Sequence, residues 1–253
     1  MRRVRFRRKS KKSRLRFPRP LYPALGLALA GPALGAWIGL ARVGRALPFE
    51  GPVLFPVLAG AAVYALLHLI FRKPMTLYVF GHELTHAAAA LLSGYKVKSL
   101  FVSEKGGEVE LSDTNAFVAL APYCVPAYTI AVLLAYGLVR RYAPLAAPPL
   151  WVGFGIGLTL AFHLALTVHA LRQNQPDLRH AGTFFSLVLI VLSNGLVLAF
   201  VLKALFPSIV ELSSFFGAWV GDTRLLFERT WEGLSWLGRK AAAQGGWIRG
   251  ALP

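Results

Sequence analysis

Cysteine is almost absent from this 253-residue chain, Cys124 being the only one. No intrachain disulfide is possible, and cysteine-based zinc motifs are excluded, which leaves histidine and carboxylate side chains as the available metal ligands. A single thiol in an apolar stretch serves packing more often than chemistry. Charge is scarce as well: 15% of residues are charged against 56% hydrophobic, and the mean hydropathy is +0.54. That balance lies outside the range of a soluble domain and describes an integral membrane protein. Acidic residues number only 11 against 28 basic ones, and the first twenty positions hold none of them.

Crossing a bilayer takes roughly 20 residues of apolar helix. Runs of that length with little or no charge cover residues 21–41, 52–71, 75–94, 116–139, 148–171 and 181–202. They predict an all-α membrane protein of about six transmembrane helices, with one membrane domain over 21–206. The net charge of +17 is concentrated at one end, because eleven lysines and arginines fall within residues 1–20. A basic arm directly before a span acts as a positive-inside signal and attracts anionic lipid head groups, so the arm is expected in the cytoplasm. No nucleic-acid partner is expected from it. An uncleaved arm is also expected, since the apolar run after it continues through Trp37 to Ala41 and exceeds a secretory h-region. With every run crossing, Arg72, Lys73, Arg140 and Arg141 fall on the arm's side.

Inside the third run lies His82-Glu83-Leu84-Thr85-His86, an HExxH motif. Two histidines four apart share one face of a helix, so both imidazoles can hold a single zinc ion while Glu83 reaches a zinc-activated water. Ionisable groups in an apolar helix lose their hydration, which makes them functional residues more often than packing ones. The competing interpretation is a pair of histidines hydrogen-bonded to neighbouring helices. Two histidines are too few for a zinc site, and a third ligand is sought elsewhere. Asp177, His180, His163 and His169 compete for that role. His163 and His169 lie six apart, on different faces of one helix, and each reads by default as a polar core residue, as does His68.

Alternation of apolar and polar residues at Tyr95 to Lys98 and again at Glu108 to Leu111, with Lys105-Gly106-Gly107 between them, predicts a β-hairpin at the membrane surface. A plain connecting loop is the alternative. The fourth run contains Pro122 and Pro126, which each remove a backbone donor and can kink it. Tyr123 and Tyr128 beside them are either interfacial packing residues or neighbours of the site. Pro176 fits a helix start and puts Asp177 in its first turn. From residue 207 to 253, Phe227, Trp231, Leu234 and Leu237 recur at helical spacing among charges, which predicts an amphipathic helix lying in the membrane interface.

Phe80-Gly81-His82-Glu83-Leu84-Thr85-His86, the small residues Ala87 to Ala90, Gly94 and the β-like segment after them resemble the site-2 protease family of intramembrane zinc metalloproteases, in particular its small bacterial branch. The resemblance covers roughly residues 75–194, and its specific part is the HExxH motif. It implies zinc as cofactor, Glu83 as general base, an aspartate on a later helix as third ligand, and residence in a bacterial inner membrane. Asp177 is the position similar to that aspartate, with Asn174 and Pro176 matching the asparagine and proline that precede it. The chain departs from the family in reading Pro-Asp-Leu where Leu-Asp-Gly is usual, and no PDZ-like segment is present. The expected function is hydrolysis of peptide bonds in membrane-associated substrates, with His82, His86 and Asp177 on zinc and Asn174 or Tyr123 contacting the oxyanion or substrate. A noncatalytic membrane protein with a structural or transport-related metal site is the alternative. Since HExxH falls mid-span, Asp177 reaches it only if its own helix begins below the surface or one of the runs fails to cross.

Overall fold

A computed structural model describes residues 21–48, 51–71, 74–103, 106–143, 148–173 and 175–250, with side chains described as far as residue 242. The basic arm at 1–20, Arg72, Lys73, Lys105 and Asn174 lie outside the described residues. In order, the elements are α1 (Leu21–Arg45), α2 (Leu54–Ile70), α3 (Met75–Leu92), β1 (Val97–Ser103), β2 (Gly106–Leu111), α4 (Ala116–Cys124), α5 (Ala127–Tyr142), α6 (Leu150–Leu171), α7 (Pro176–His180), α8 (Thr183–Leu205) and α9 (Leu212–Gly250). The molecule is mostly helical, as the apolar runs predict, because a backbone in hydrocarbon must satisfy its own N–H and C=O groups.

α1, α6 and α8 are each long and apolar enough to cross a membrane, and the total rises to five if the bent pairs α2 with α3 and α4 with α5 each count as one span. Six separate crossings were expected; the count is lower because the second and third runs, α2 and α3, form a single pair bent by 120°. The fourth run is broken at Val125-Pro126, where α4 and α5 diverge by 71°. Pro126 offers no N–H to continue the ladder of α4, so the chain turns there. Arg140 lines a cavity with Pro48 and Phe206, at the C-terminal ends of α1 and α8, and so at the end of the bundle opposite the start of α1. This reverses the expected placement of Arg140: α4 already sets out beside Tyr22, its Leu120 sharing a cluster with Tyr22 and with Tyr78 of α3, so α3 has not carried the chain to the far end before the fourth run begins.

Two parallel helix pairs build the bundle. α1 runs with α8: Tyr22 meets Phe185 with ring centroids 5.2 Å apart, Trp37 Nε1 donates to the Val191 carbonyl at 3.0 Å, and Leu40 packs on Ala199. α2 runs with α6, from Val57 beside Gly157 to Tyr64 edge-on to Phe162 at 5.5 Å. Glycine is what lets this second pair approach: a Cβ on Gly60 would overlap the Phe154 carbonyl oxygen, and one on Gly157 that of Val57. Such close backbone contact is how helices gain attraction where lipid supplies no hydrophobic drive. We expect Gly157→Ala to destabilise the protein by about 1–3 kcal/mol through overpacking. Gly137→Ala, on α5 with no atom within 4 Å of the added methyl, serves as the control. Thermal unfolding in detergent should show a lower midpoint for the first variant and no loss for the second.

The C-terminal helix departs from expectation. α9 packs antiparallel along α1 instead of lying across the ends of the spans, with Phe215 against Leu40, Trp219 Nε1 donating to the Pro32 carbonyl at 2.7 Å, and Phe227 beside Gly31. Arg42 and the buried Asp222 close this contact with an ion pair at 2.6 Å. Specific polar bonds to α1 thus override the interfacial preference of its amphipathic pattern, and Trp231, Leu234 and Leu237 remain exposed.

Candidate metal centre

α3 owes its position to its small residues. Ala89 and Ala90 pack on Val118 and Ala121 of α4, which brings the two backbones close together. Asn115 starts α4 by accepting from the Val118 N–H at 2.8 Å, the usual role of an N-cap amide. One turn earlier on α3, His86 Nδ1 then meets the Val118 carbonyl at 2.7 Å. A carbonyl only accepts, so in the neutral ring Nδ1 carries the proton and the Nε2 lone pair points away from α4. On His82, Nδ1 pairs with the Tyr78 hydroxyl at 3.3 Å, again leaving Nε2 free to turn inward.

Both Nε2 atoms face Asp177. Its Oδ2 lies 3.6 Å from that of His82 and 3.5 Å from that of His86. α7, which carries Asp177, is a single turn begun by Pro176, and Leu178 anchors it among Tyr22, Leu120, Tyr123 and Phe185. The Ser186 hydroxyl at the start of α8 donates to the Leu178 carbonyl at 3.0 Å. The aspartate therefore sits on a short joint between two long helices, and the helix that follows begins where the site needs it.

Among the described residues, His82, His86 and Asp177 form the group of side chains able to hold one ion, their ligand atoms all lying within 4.8 Å of one another. Arms of about 2.0–2.1 Å at tetrahedral angles give edges of roughly 3.3–3.4 Å, close to the two distances observed. The surroundings fit a cation as well. Five buried side-chain atoms among the described residues lack a hydrogen-bond partner, and Glu83 Oε2, His86 Nε2 and Asp177 Oδ1 are three of them. Orphaned polar atoms are rare in protein interiors, so their gathering at one point marks a place made for a polar guest. Glu83 is buried beside it, and β2 lies over the glutamate: a Cβ on Gly107 would stand 2.5 Å from Val79 Cγ1 and 2.7 Å from Glu83 Cγ.

Of the competing third ligands, Asp177 is the one brought to the histidines. His163 pairs with Asn194 at 3.2 Å, His169 with Gln173 at 2.8 Å and His68 with Tyr64 at 3.1 Å, so each is hydrogen-bonded away from the ligand group, though only half-buried. His180 is outside the ligand group. Tyr123 is wholly buried and donates to Asp177 Oδ2 at 3.0 Å, with its ring edge-on to His82 at 5.3 Å, so it adjoins the site. Tyr128 instead bonds the Leu77 carbonyl at 2.7 Å. Three neighbours of the site escaped sequence reasoning. Tyr78, four residues before His82, was detectable by helical spacing, and Asn194 by its polarity within an apolar run; the Val118 carbonyl leaves no sequence signal. The hairpin forms as expected, antiparallel from Val97 opposite Leu111 to Ser103 opposite Gly106, with Lys98 and Glu110 paired across it at 3.0 Å.

No protein-family model matches the chain, and no curated protein or solved structure matches it.

Proposed function

We propose that this protein is an intramembrane zinc metalloendopeptidase similar to the site-2 proteases, hydrolysing peptide bonds of membrane-associated substrates. The observation that carries the reading is the meeting of Asp177 with His82 and His86 beside a buried glutamate that has an unpartnered oxygen. Two imidazole nitrogens and one carboxylate oxygen are a donor set that zinc favours, and three protein ligands are the number that catalytic sites use. A zinc ion held there supplies Lewis acidity, polarising a carbonyl and acidifying water. Glu83 takes a proton at its carboxylate and delivers it to the leaving amine. His86 keeps its ligand nitrogen aimed through the bond to Val118, and Asp177 contributes the negative charge. Asn174 is proposed as an oxyanion donor, and Tyr123 as a contact at the same centre.

The hairpin beside Glu83 suits an extended substrate that adds a strand to its free edge, which also unwinds a helical segment and exposes its amides. The arm at 1–20 is proposed to lie in the cytoplasm on anionic lipids of a bacterial inner membrane. The three-ligand group favours hydrolysis over a structural metal site, which would be closed by four ligands.

Purified full-length protein in lipid vesicles, given a set of single-span reporter proteins, tests the reading. Cleavage should cease on treatment with a zinc chelator and return on adding zinc. Cleavage indifferent to chelation would refute a metalloprotease, and stoichiometric zinc without cleavage of any reporter would favour the structural site.

A further inference from the structure

α8 is apolar along most of its 23 residues, yet Asn194 sits in its middle, 8% exposed. A buried amide at that depth must find partners for both its ends. Its Nδ2 donates to the Ile190 carbonyl on its own helix at 2.9 Å and to the Tyr123 carbonyl at 2.8 Å. With both protons so used, Oδ1 must accept, and the His163 Nε2 on α6 faces it at 3.2 Å, which requires the proton of that ring to be on Nε2.

The Tyr123 carbonyl needs such a donor. It belongs to the last turn of α4, where carbonyls lose their intrahelical partners and where Pro126 brings no N–H. Asn194 fills the place from across the bundle. It thereby fixes the backbone of a tyrosine that has no room to move, being fully buried, and whose hydroxyl donates to Asp177 Oδ2. That oxygen is the one facing both histidines. The chain of contacts runs without a gap from α6 through α8 and α4 to α7.

We infer that Asn194, oriented by His163, is a positioning residue that acts through Tyr123 to hold the Asp177 carboxylate in register with His82 and His86. The inference rests on the reading of those three residues as metal ligands and not on proteolysis. Partners of this kind orient ligands and typically change metal affinity by about 10–100-fold when removed.

The test is a Co2+ titration of the full-length protein in detergent, following both affinity and the visible absorption of the bound ion, which reports its coordination. Asn194→Ala and Tyr123→Phe should each weaken Co2+ binding on the order of tenfold and alter the spectrum in the same sense. Their double variant should be little worse than the more affected single one, as for residues acting in series. Thr129→Val removes another hydrogen bond between helices, the half-buried one to Thr159 at 3.0 Å, and should leave affinity and spectrum unchanged. Should Asn194→Ala fail to fold, His163 takes its place: His163→Phe should shift the spectrum and His163→Gln, which keeps a donor, should restore it. Wild-type spectra in Asn194→Ala or in His163→Phe, or additive losses in the double variant, would overturn the inference. A wild-type protein that takes up no Co2+ would overturn it together with the metal reading, whereas the expected Co2+ pattern without cleavage of reporters would uphold it and count only against the protease.

Discussion

Glu83→Gln is expected to bind zinc as the wild type does and to lose cleavage on the order of 10²–10⁴-fold, the range in which general bases contribute. The amide has nearly the shape of the carboxylate, so it fits the same space beneath Gly107 and leaves His82 and His86 in place. What it lacks is a site that accepts a proton. Because Glu83 is buried and its Oε2 has no hydrogen-bond partner, the substitution breaks no bond at that oxygen, and loss of activity reads out chemistry instead of folding. Zinc content by metal analysis and cleavage of a reporter, measured on one preparation, decide the matter. Full activity in this variant would end the protease reading.

Asp177→Ala should be more damaging to the metal, removing most bound zinc and with it all cleavage. The residue provides one of three ligand atoms and the one negative charge among them, so the loss should exceed the roughly 10–100-fold typical of outer partners. It also strands the buried Tyr123 hydroxyl, whose acceptor it is. His180→Ala, three positions along, should keep its zinc because His180 is outside the ligand group. Retention of zinc in the first variant and its loss in the second would reassign the third ligand while leaving the HExxH pair intact.

The histidines and Glu83 were legible because their spacing is set by one helix, and helical geometry is local. Asp177 needed more. Its type and the preceding Pro176 marked it, but only the packing of Leu178 and the Ser186 bond bring α7 to α3. The hairpin showed in its two-residue alternation. The number of crossings did not, since nothing in the two apolar runs at 52–71 and 75–94 states that α2 and α3 form one pair bent by 120°, just as Pro122 and Pro126 announce a kink without fixing its 71°. α9 misled for a related reason: an amphipathic stripe states that one face is apolar and not what covers it, whereas the bonds from Trp219 to Pro32 and from Arg42 to Asp222 depend on residues nearly 200 positions apart. Asn194 was hidden by its surroundings, as one amide hardly changes the hydropathy of a long run.

The proton of His86 is held by a peptide carbonyl, that of Val118. A peptide carbonyl is present whatever amino acid occupies the position, so no single substitution at 118 deletes it. Ligand histidines elsewhere often depend on a carboxylate side chain that one codon change can erase. Here the tautomer is guarded by the backbone, and what heredity must preserve is a distance between two helices, kept by Ala89, Ala90 and Ala121. Sequence drift at this site would accordingly be confined by packing, to an apolar residue that fits at 118 and to small ones at the three alanines, and not by the chemistry of a side-chain acceptor.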